Sequence, residues 1–489
     1  MQGTKEYNEK LFVNFRLSER IPQDNFYRKL KSMLNLSFLR SLTKKYYGSE
    51  GQKSIDPEVF FKLMLIGYME NVNSDRKIIE QASMRMDMLY FLGYDIDEPL
   101  PWHSTLSRTR KLYGEEVFLE LFRKVLTLCV ERGLVSGRVQ AVDSAFIAAN
   151  ASMDSLEEHS IDKFCSEFYN KITESEECEE GRNKDNQDSK QPGARKDGRK
   201  YNDRYRSSTD PEARVSQKPN KPSRLNYLGQ ISVDTASHII CGAMADFADK
   251  KDSNCTRSIV GQTVESLETA EIKIESVLAD TSYSSGESLK YLSKQGITAY
   301  IPPNSGYKHS RQDFFYNPED NSYTCSQGVK LTYRGLKRER GRTTVVKRYQ
   351  SLINDCKHCS LKAQCVGKMG YKQIYDSVNK PYYDESYYLM NTPEGQRMRR
   401  LRSSTVEPVL GSLLLFGAMK NVYTKGLALA NKHVLMAAAA YNIKKLATRP
   451  YIKSAVRAIE SLTADLIDAT CQLYLRLGTT LSSKWSFAL

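Results

Sequence analysis

No stretch of this sequence is long and apolar enough to cross a bilayer. The longest apolar runs, Phe60 to Met69 and Leu410 to Met419, fall far short of the roughly 20 residues a spanning helix needs. The opening residues MQGTKEYNEK hold no apolar core of the kind a secretory signal requires, so a cytoplasmic location and no membrane partner are expected. Ten cysteines in such a chain are expected to stay reduced. Six of them are scattered (Cys129, Cys165, Cys178, Cys241, Cys255 and Cys471) and read as core or surface thiols without a role.

What the chain does have is positive charge. Lys and Arg number 72 against 58 Asp and Glu, a surplus of 14. Each Lys or Arg that neutralises a phosphate releases condensed counterions, so a surplus of this size favours a polyanionic partner. A basic protein without such a partner has the same composition. Hydrophobic residues at 40% and charged residues at 27% are ordinary for a globular chain. At 489 residues there is too much chain for one core, and about two to four domains are expected.

Residues 1–135 read as a helical domain. Ser54 or Asp56 caps a helix over PEVFFKLMLIGYM, with Pro57 in its first turn. A second helix covers DRKIIEQASMRMDMLYFLG, and a short basic one, TLSRTRKLYG, follows from Ser104. The next, EEVFLELFRKVLTLCVERG, closes at Gly133. A basic helix in third place fits a helix-turn-helix module, with Thr105, Arg108, Arg110 and Lys111 reaching DNA. A plain bundle with a solvated basic face fits equally.

Residues 136–302 begin with the β-like run VQAVDSAFIAANAS and include a polar stretch, 156–223, too poor in apolar residues to fold alone. Two strands follow, LNYLGQISVDT and HIICGAMADF, then a helix over SIVGQTVESLETAEI. The strand KIESVLAD, a helix over GESLKYLSKQG and the strand ITAYIPP complete this part. Residues 303–391 are of different character. Residues 392–489 return to helix, with Pro408 expected to bend or restart it.

Asp143 ends the first of these strands and Asp280 the fourth. Strand ends are where side chains converge on an open crevice, and in a sheet of this order the first and fourth strands can be neighbours. Glu407 sits on the late helix, on a face shared with Arg400, Ser403, Ser404, Gly411, Leu414 and Ala418, which reads as inward-facing. Three hard oxygen donors suit Mg²⁺ or Mn²⁺, and a pair of ions about 4 Å apart can clamp an in-line phosphoryl displacement. Any one of these acids alone is more simply a turn cap or a solvated helix residue. Their joint placement favours chemistry.

Four segments extend this reading: AVDSAFIAANAS, STDPEARVSQKP, ADTSYSSGESLKYLSKQGITAYIPP and RSSTVEPVLGSLL, with MAAAAYNIKKL near the end. In these the chain resembles insertion-sequence transposases of the DDE class found in bacteria, over nearly its whole length. The resemblance implies an α/β fold, a ribonuclease-H-like mixed sheet flanked by helices, with an all-α N-terminal domain that binds DNA or dimerises. It implies metal-dependent cutting at transposon ends and strand transfer into target DNA by a homodimer at the nucleoid, with Asp143, Asp280 and Glu407 as metal ligands. Relatives often carry Tyr, Arg and Lys six and four residues before and seven after the glutamate. Here those positions hold Leu401, Ser403 and Leu414, leaving Arg400, Arg402 and Lys420 as the basic residues nearby.

The remaining cysteines are grouped. Cys325, Cys356, Cys359 and Cys365 offer four soft ligands, two of them spaced C-x2-C, in a Tyr-, Lys- and Arg-rich β insertion over 303–391. A closed structural Zn²⁺ site, an iron–sulfur cluster and four free thiols are the three readings.

Overall fold

The computed structural model describes residues 16–48, 53–158, 201–217, 222–304, 309–338, 345–367 and 369–448, together with 5, 14, 50, 51 and 307. The expectations that concern Cys165, Cys178, Cys471, most of the polar stretch and the chain beyond 448 lie outside these residues. Two compact units emerge. One comprises Met1–Ser136, Leu413–Tyr423 and Lys432–Leu489, the other Gly137–Ser412 and Thr424–Asn431. Among the described residues, no helix is long and apolar enough to cross a membrane.

The first unit is helical: α1 (Leu17–Arg20), α2 (Phe26–Met33), α3 (Phe38–Thr43), α4 (Pro57–Met69), α5 (Asp75–Met84), α6 (Met86–Leu92), α7 (His103–Leu112) and α8 (Glu115–Glu131). Helix α4 starts as expected, with the Asp56 carboxylate accepting the Glu58 N–H and Pro57 in the first turn. It is apolar on most sides and is buried accordingly. Helix α8 instead buries one stripe, Val117, Phe118, Leu121, Phe122, Val125, Leu126 and Cys129. Phe60, Phe61, Tyr113 and Phe118 meet edge-on or stacked at the centre of this core. Side chains of this size contribute about 1.5–3 kcal/mol each when fully buried.

The single helix expected over 75–92 is two. Arg85 breaks it with an extended backbone, and its guanidinium pairs with Asp87 at 2.8 Å and Glu70 at 3.1 Å. Side-chain pairing at this position outweighs the helical periodicity. Gly93 then closes α6 at φ 89°, a left-handed conformation that glycine adopts without a Cβ penalty.

The second unit is built on a mixed sheet. Its strands are β1 (Val139–Ala148), β2 (Arg214–Ser216), β3 (Arg224–Asp234), β4 (Ile240–Phe247), β5 (Ser276–Leu278) and β6 (Thr298–Tyr300). Strand β3 is antiparallel to β1 on one side and to β4 and β2 on the other, while β1, β5 and β6 run parallel. Helix α9 (Asp252–Glu268) connects β4 to β5, and α10 (Gly286–Lys294) connects β5 to β6. Three antiparallel strands followed by two parallel ones across the first strand give the order of a ribonuclease-H-like sheet. The side-by-side placement of the first and fourth strands is as expected.

Helix α9 begins six residues before the expected Ser258. The segment STDPEAR, expected as part of a polar insertion, is instead docked. Asp210 is fully buried, with both carboxylate oxygens 2.9 Å from the Tyr227 hydroxyl and one accepting the Gly426 N–H. Glu212 accepts the Leu427 N–H, so these two acids cap a late helix, Leu427–Thr448.

After β6 comes a second, antiparallel sheet: β7 (Phe314–Asn317), β8 (Ser322–Cys325), β9 (Lys330–Arg338), β10 (Val345–Gln350) and β11 (Gln373–Ser377), paired in sequence order. Tyr323, Leu331, Tyr349 and Ile374 form its small core. Helix α11 (Lys380–Met390) follows, then α12 (Pro393–Phe416), which is helical throughout. Pro408 does not end α12. The expected restart does not occur, although the missing N–H of Pro408 leaves the Ser404 carbonyl without its helical donor.

Candidate active site

The parallel pairing of β1 and β5 sets the geometry. Its last register pair is Ala141 with Leu278, so Asp143 and Asp280 each stand two residues further along neighbouring strands. They lie at one level on one edge of the sheet. Asp143 does not end its strand, as the sequence suggested. Strand β1 continues to Ala148 because β3 supports it, and Asp143 is paired there with Ile231. Asp280 does lie just beyond β5, where it caps a short turn by accepting the Ser282 N–H at 2.9 Å.

Glu407 reaches the same edge through Arg402. The guanidinium donates to Asp143 Oδ2 at 2.9 Å and to Glu407 Oε1 at 3.3 Å. Arg402 is 15% exposed and Glu407 60% exposed. The buried stripe of α12 is Met398, Thr405, Val406, Val409, Leu410 and Leu413, so Glu407 is not on the inward face that helical phase suggested. It lies on the open side, where Arg400 and Ser404 are exposed too.

Burial pushes the Asp143 carboxyl up from its ordinary range, and the neighbouring Asp280 charge adds to this. The Ser144 N–H and the Arg402 guanidinium oppose the shift. Crowded carboxylates of this kind attract a cation, and Arg402 supplies one. Beneath them Tyr283 is fully buried and donates to Gln230 Oε1 at 2.9 Å. Burial and then the charges of Asp252, Asp143 and Asp280 raise its pKa, which keeps the phenol neutral.

Sequence reasoning missed Asp252. The residue opens α9, and its carboxylate accepts from Ser144 Oγ at 2.7 Å and Ser282 Oγ at 2.8 Å. An acid in the first turn of a helix is a common sequence signal, and DKKDSNCT contains it. Nothing in that pattern indicates that the carboxylate meets the residues next to Asp143 and Asp280.

The donor set of Asp143, Asp280 and Glu407 fits hard divalent cations in its chemistry, three carboxylates with one cationic side chain already drawn between two of them. Among the described residues, no three His, Cys, Asp or Glu side chains are already converged as metal ligands. The four cysteines form no such group either, so the zinc and iron–sulfur readings gain no support among the described residues. Cys325 ends β8 against the small sheet's core, and the buried Cys356 thiol lies 3.2 Å from Ser351 Oγ. Cys359 and Cys365 are half-buried nearby, without forming a shared ligand group. Cys356 lies in the short helix Ile353–Lys357 and Cys359 in the turn before the next, Lys362–Cys365. Cys129 and Cys255 have thiols pushed up to about 12 by burial, which makes them inert.

The basic candidates divide. Arg110 is committed to Asp75 at 2.6 Å and is 12% exposed. Arg108 and Lys111 on the same helix are exposed, with Arg108 donating to Ser104 Oγ at 3.3 Å. Arg400 and Lys420 are exposed as well.

Residues 15–112 match the family model "Transposase domain (DUF772)", and residues 324–447 match "Transposase DDE domain". Glu407 lies inside the second match, while Asp143 and Asp280 lie outside both. No curated protein matches the chain. Among solved structures it is similar to a Mos1 transposase paired-end complex with left transposon end, at 11% identity over 56% of this chain and 67% of that one, with a TM-score of 0.16. It is also similar to a Mos1 mariner paired end complex with Mn, at 9% identity over 54% of this chain and 64% of that one, TM-score 0.16. A piggyBac transposase synaptic complex with hairpin DNA is similar at 12% identity over 90% of this chain and 83% of that one, TM-score 0.23. The chain thus matches two transposase domain models, one over residues 15–112 of the helical unit and one over residues 324–447, which include Glu407.

Proposed function

We propose that this chain cuts DNA at the ends of a transposon and joins the freed ends to target DNA, using Asp143, Asp280 and Glu407 as ligands for two Mg²⁺ or Mn²⁺ ions. The observation that supports this most is the common level of Asp143 and Asp280 on parallel neighbours, with Arg402 joining Asp143 to Glu407. Divalent ions there would stabilise charge on the attacking and leaving oxygens of an in-line displacement.

The protein's own groups have separate tasks. The two aspartates orient on a rigid sheet edge, and Glu407 closes the set from a helix. Once its carboxylate partners turn to cations, Arg402 is free to present two parallel N–H donors to a phosphate. Tyr283 and Gln230 form a dry floor that keeps the acids in a medium of low dielectric.

DNA is the partner this reading requires. The small sheet carries Arg334, Lys337, Arg338, Lys347 and Arg348 with no carboxylate ion pair among the described residues, and Phe315 and Leu336 are exposed beside them. Cations interleaved with aromatic and apolar side chains suit a nucleic-acid backbone and bases. The exposed Arg108 and Lys111 of the helical unit offer further phosphate contacts. A homodimer acting at the nucleoid is the assembly the family resemblance implies.

The test is incubation of the protein with Mg²⁺ and a donor plasmid carrying its native transposon ends, alongside Asp280→Ala. Cleavage and joining should be lost in the variant by a factor of about 1,000 or more, since loss of a metal ligand removes most of the electrostatic stabilisation. Unchanged products from Asp280→Ala would remove the three-acid assignment.

A further inference from the structure

Asp252 touches neither Asp143 nor Asp280 directly, yet it is tied to the neighbours of both. One carboxylate oxygen accepts from the hydroxyl of Ser144, the residue after Asp143. The other accepts from the hydroxyl of Ser282, two residues after Asp280. The two segments come from different strands, so the carboxylate links across the sheet edge that holds the acids. It sits in the first turn of a 17-residue helix.

The Ser282 hydroxyl lies within bonding distance of both Asp252 Oδ2 and Asp280 Oδ1. It has a single proton and can donate to one of them at a time. Asp280 Oδ1 already receives the Ser282 N–H. The hydroxyl therefore bridges the two carboxylates, and Asp252 bears on Asp280 through it.

We propose that Asp252 is a positioning residue for the three-acid site: it fixes the spacing of Asp143 and Asp280 through two serine hydroxyls. The inference rests on the site proposed above. Partners that orient ligating carboxylates typically change metal affinity by 10- to 100-fold when lost. A purely structural Asp252 would stabilise the start of α9 and leave cation affinity alone.

The experiment is calorimetric titration of Mn²⁺ into the full chain, with melting temperatures recorded in the absence of metal. Asp252→Asn keeps the shape of the side chain but replaces one acceptor with a donor. Ser282→Ala removes the same link from its other end and guards against a folding defect in the first variant. Each should weaken Mn²⁺ binding about tenfold. Combined, they should weaken it by no more than about the larger single effect, because the link lost in Ser282→Ala is one of those lost in Asp252→Asn. Wild-type affinity in Asp252→Asn with a lowered melting temperature overturns the inference, as does tighter binding in Ser282→Ala. Failure of the underlying site looks different: the wild type binds no Mn²⁺, or Asp280→Ala binds as the wild type does, and the inference falls with it.

Discussion

Arg402 stands five residues before Glu407, one position from where relatives often place an arginine, and Ser403 fills that place. The geometry supplies a reason why the displaced residue can still serve. Its guanidinium reaches Asp143 and Glu407 together, bridging a strand and a helix with a single fork. Replacing it with Gln would leave both carboxylates without their cation. We expect Arg402→Gln to slow single-turnover DNA cleavage by about 100-fold, in the range seen when one transition-state donor is removed. Divalent-ion affinity should be retained or increased, because a competing cation has gone. Cleavage at the wild-type rate would show that Arg402 only neutralises the resting site. The sequence made Arg402 one of three basic candidates, and contacts over 259 positions of chain separated it from Arg400 and Lys420.

Among elements, the docked STDPEAR segment shows how local composition misleads. It is flanked by polar chain and reads as a turn, yet Asp210 is an acceptor for the Tyr227 hydroxyl on β3 and the Gly426 N–H at the start of a helix more than two hundred residues later. Nearby, Asn431 accepts the Ala245 N–H of β4, so the first turns of that late helix are fixed to the sheet from both sides. Asp210→Ala would leave a buried hydroxyl and a helix-end N–H without an acceptor. The expected loss is about 2–4 kcal/mol of stability, read by urea unfolding. Asp210→Asn, which keeps one oxygen, should lose less than half of that. Equal stability of Asp210→Ala and wild type would show the network to be dispensable. Other elements were plain in the sequence because their signals are local. The Asp56–Pro57 start of α4, the Gly93 and Gly133 stops and the strands β3 and β4 joined by a short turn are all of this kind. The break at Arg85 was not, and its ion pair with Glu70, just past the end of α4, is a contact that local sequence does not show.

At the scale of the whole molecule, the helical unit carries a titration of its own. His433 is buried and hydrogen-bonded to the Tyr68 hydroxyl at 2.7 Å, and burial lowers its pKa to about 4. A base whose pKa falls on folding stabilises the fold while neutral. That contribution is complete above the unfolded value near 6.5 and is lost as pH falls toward 4. Global stability should decline by about 2–3 kcal/mol between pH 7 and about 4.5 from this residue alone. His433→Asn, which keeps an acceptor for Tyr68, should flatten that part of the pH profile in urea unfolding. An unaltered profile would assign the acid sensitivity to other groups.

The sequence by itself determined the helical N-terminal region and the strand–helix succession of the sheet, because caps and periodicity are encoded within a few residues, and it offered the three acids as candidates. It also determined the basic surplus. Tertiary structure decided which acids share an edge, since the register of β1 on β5 is a property of two strands more than a hundred residues apart. It turned Glu407 to the open side of its helix and drew Arg402 between two acids. It brought in Asp252. Each of these depends on long-range packing that fixes where a side chain ends, which local sequence does not specify.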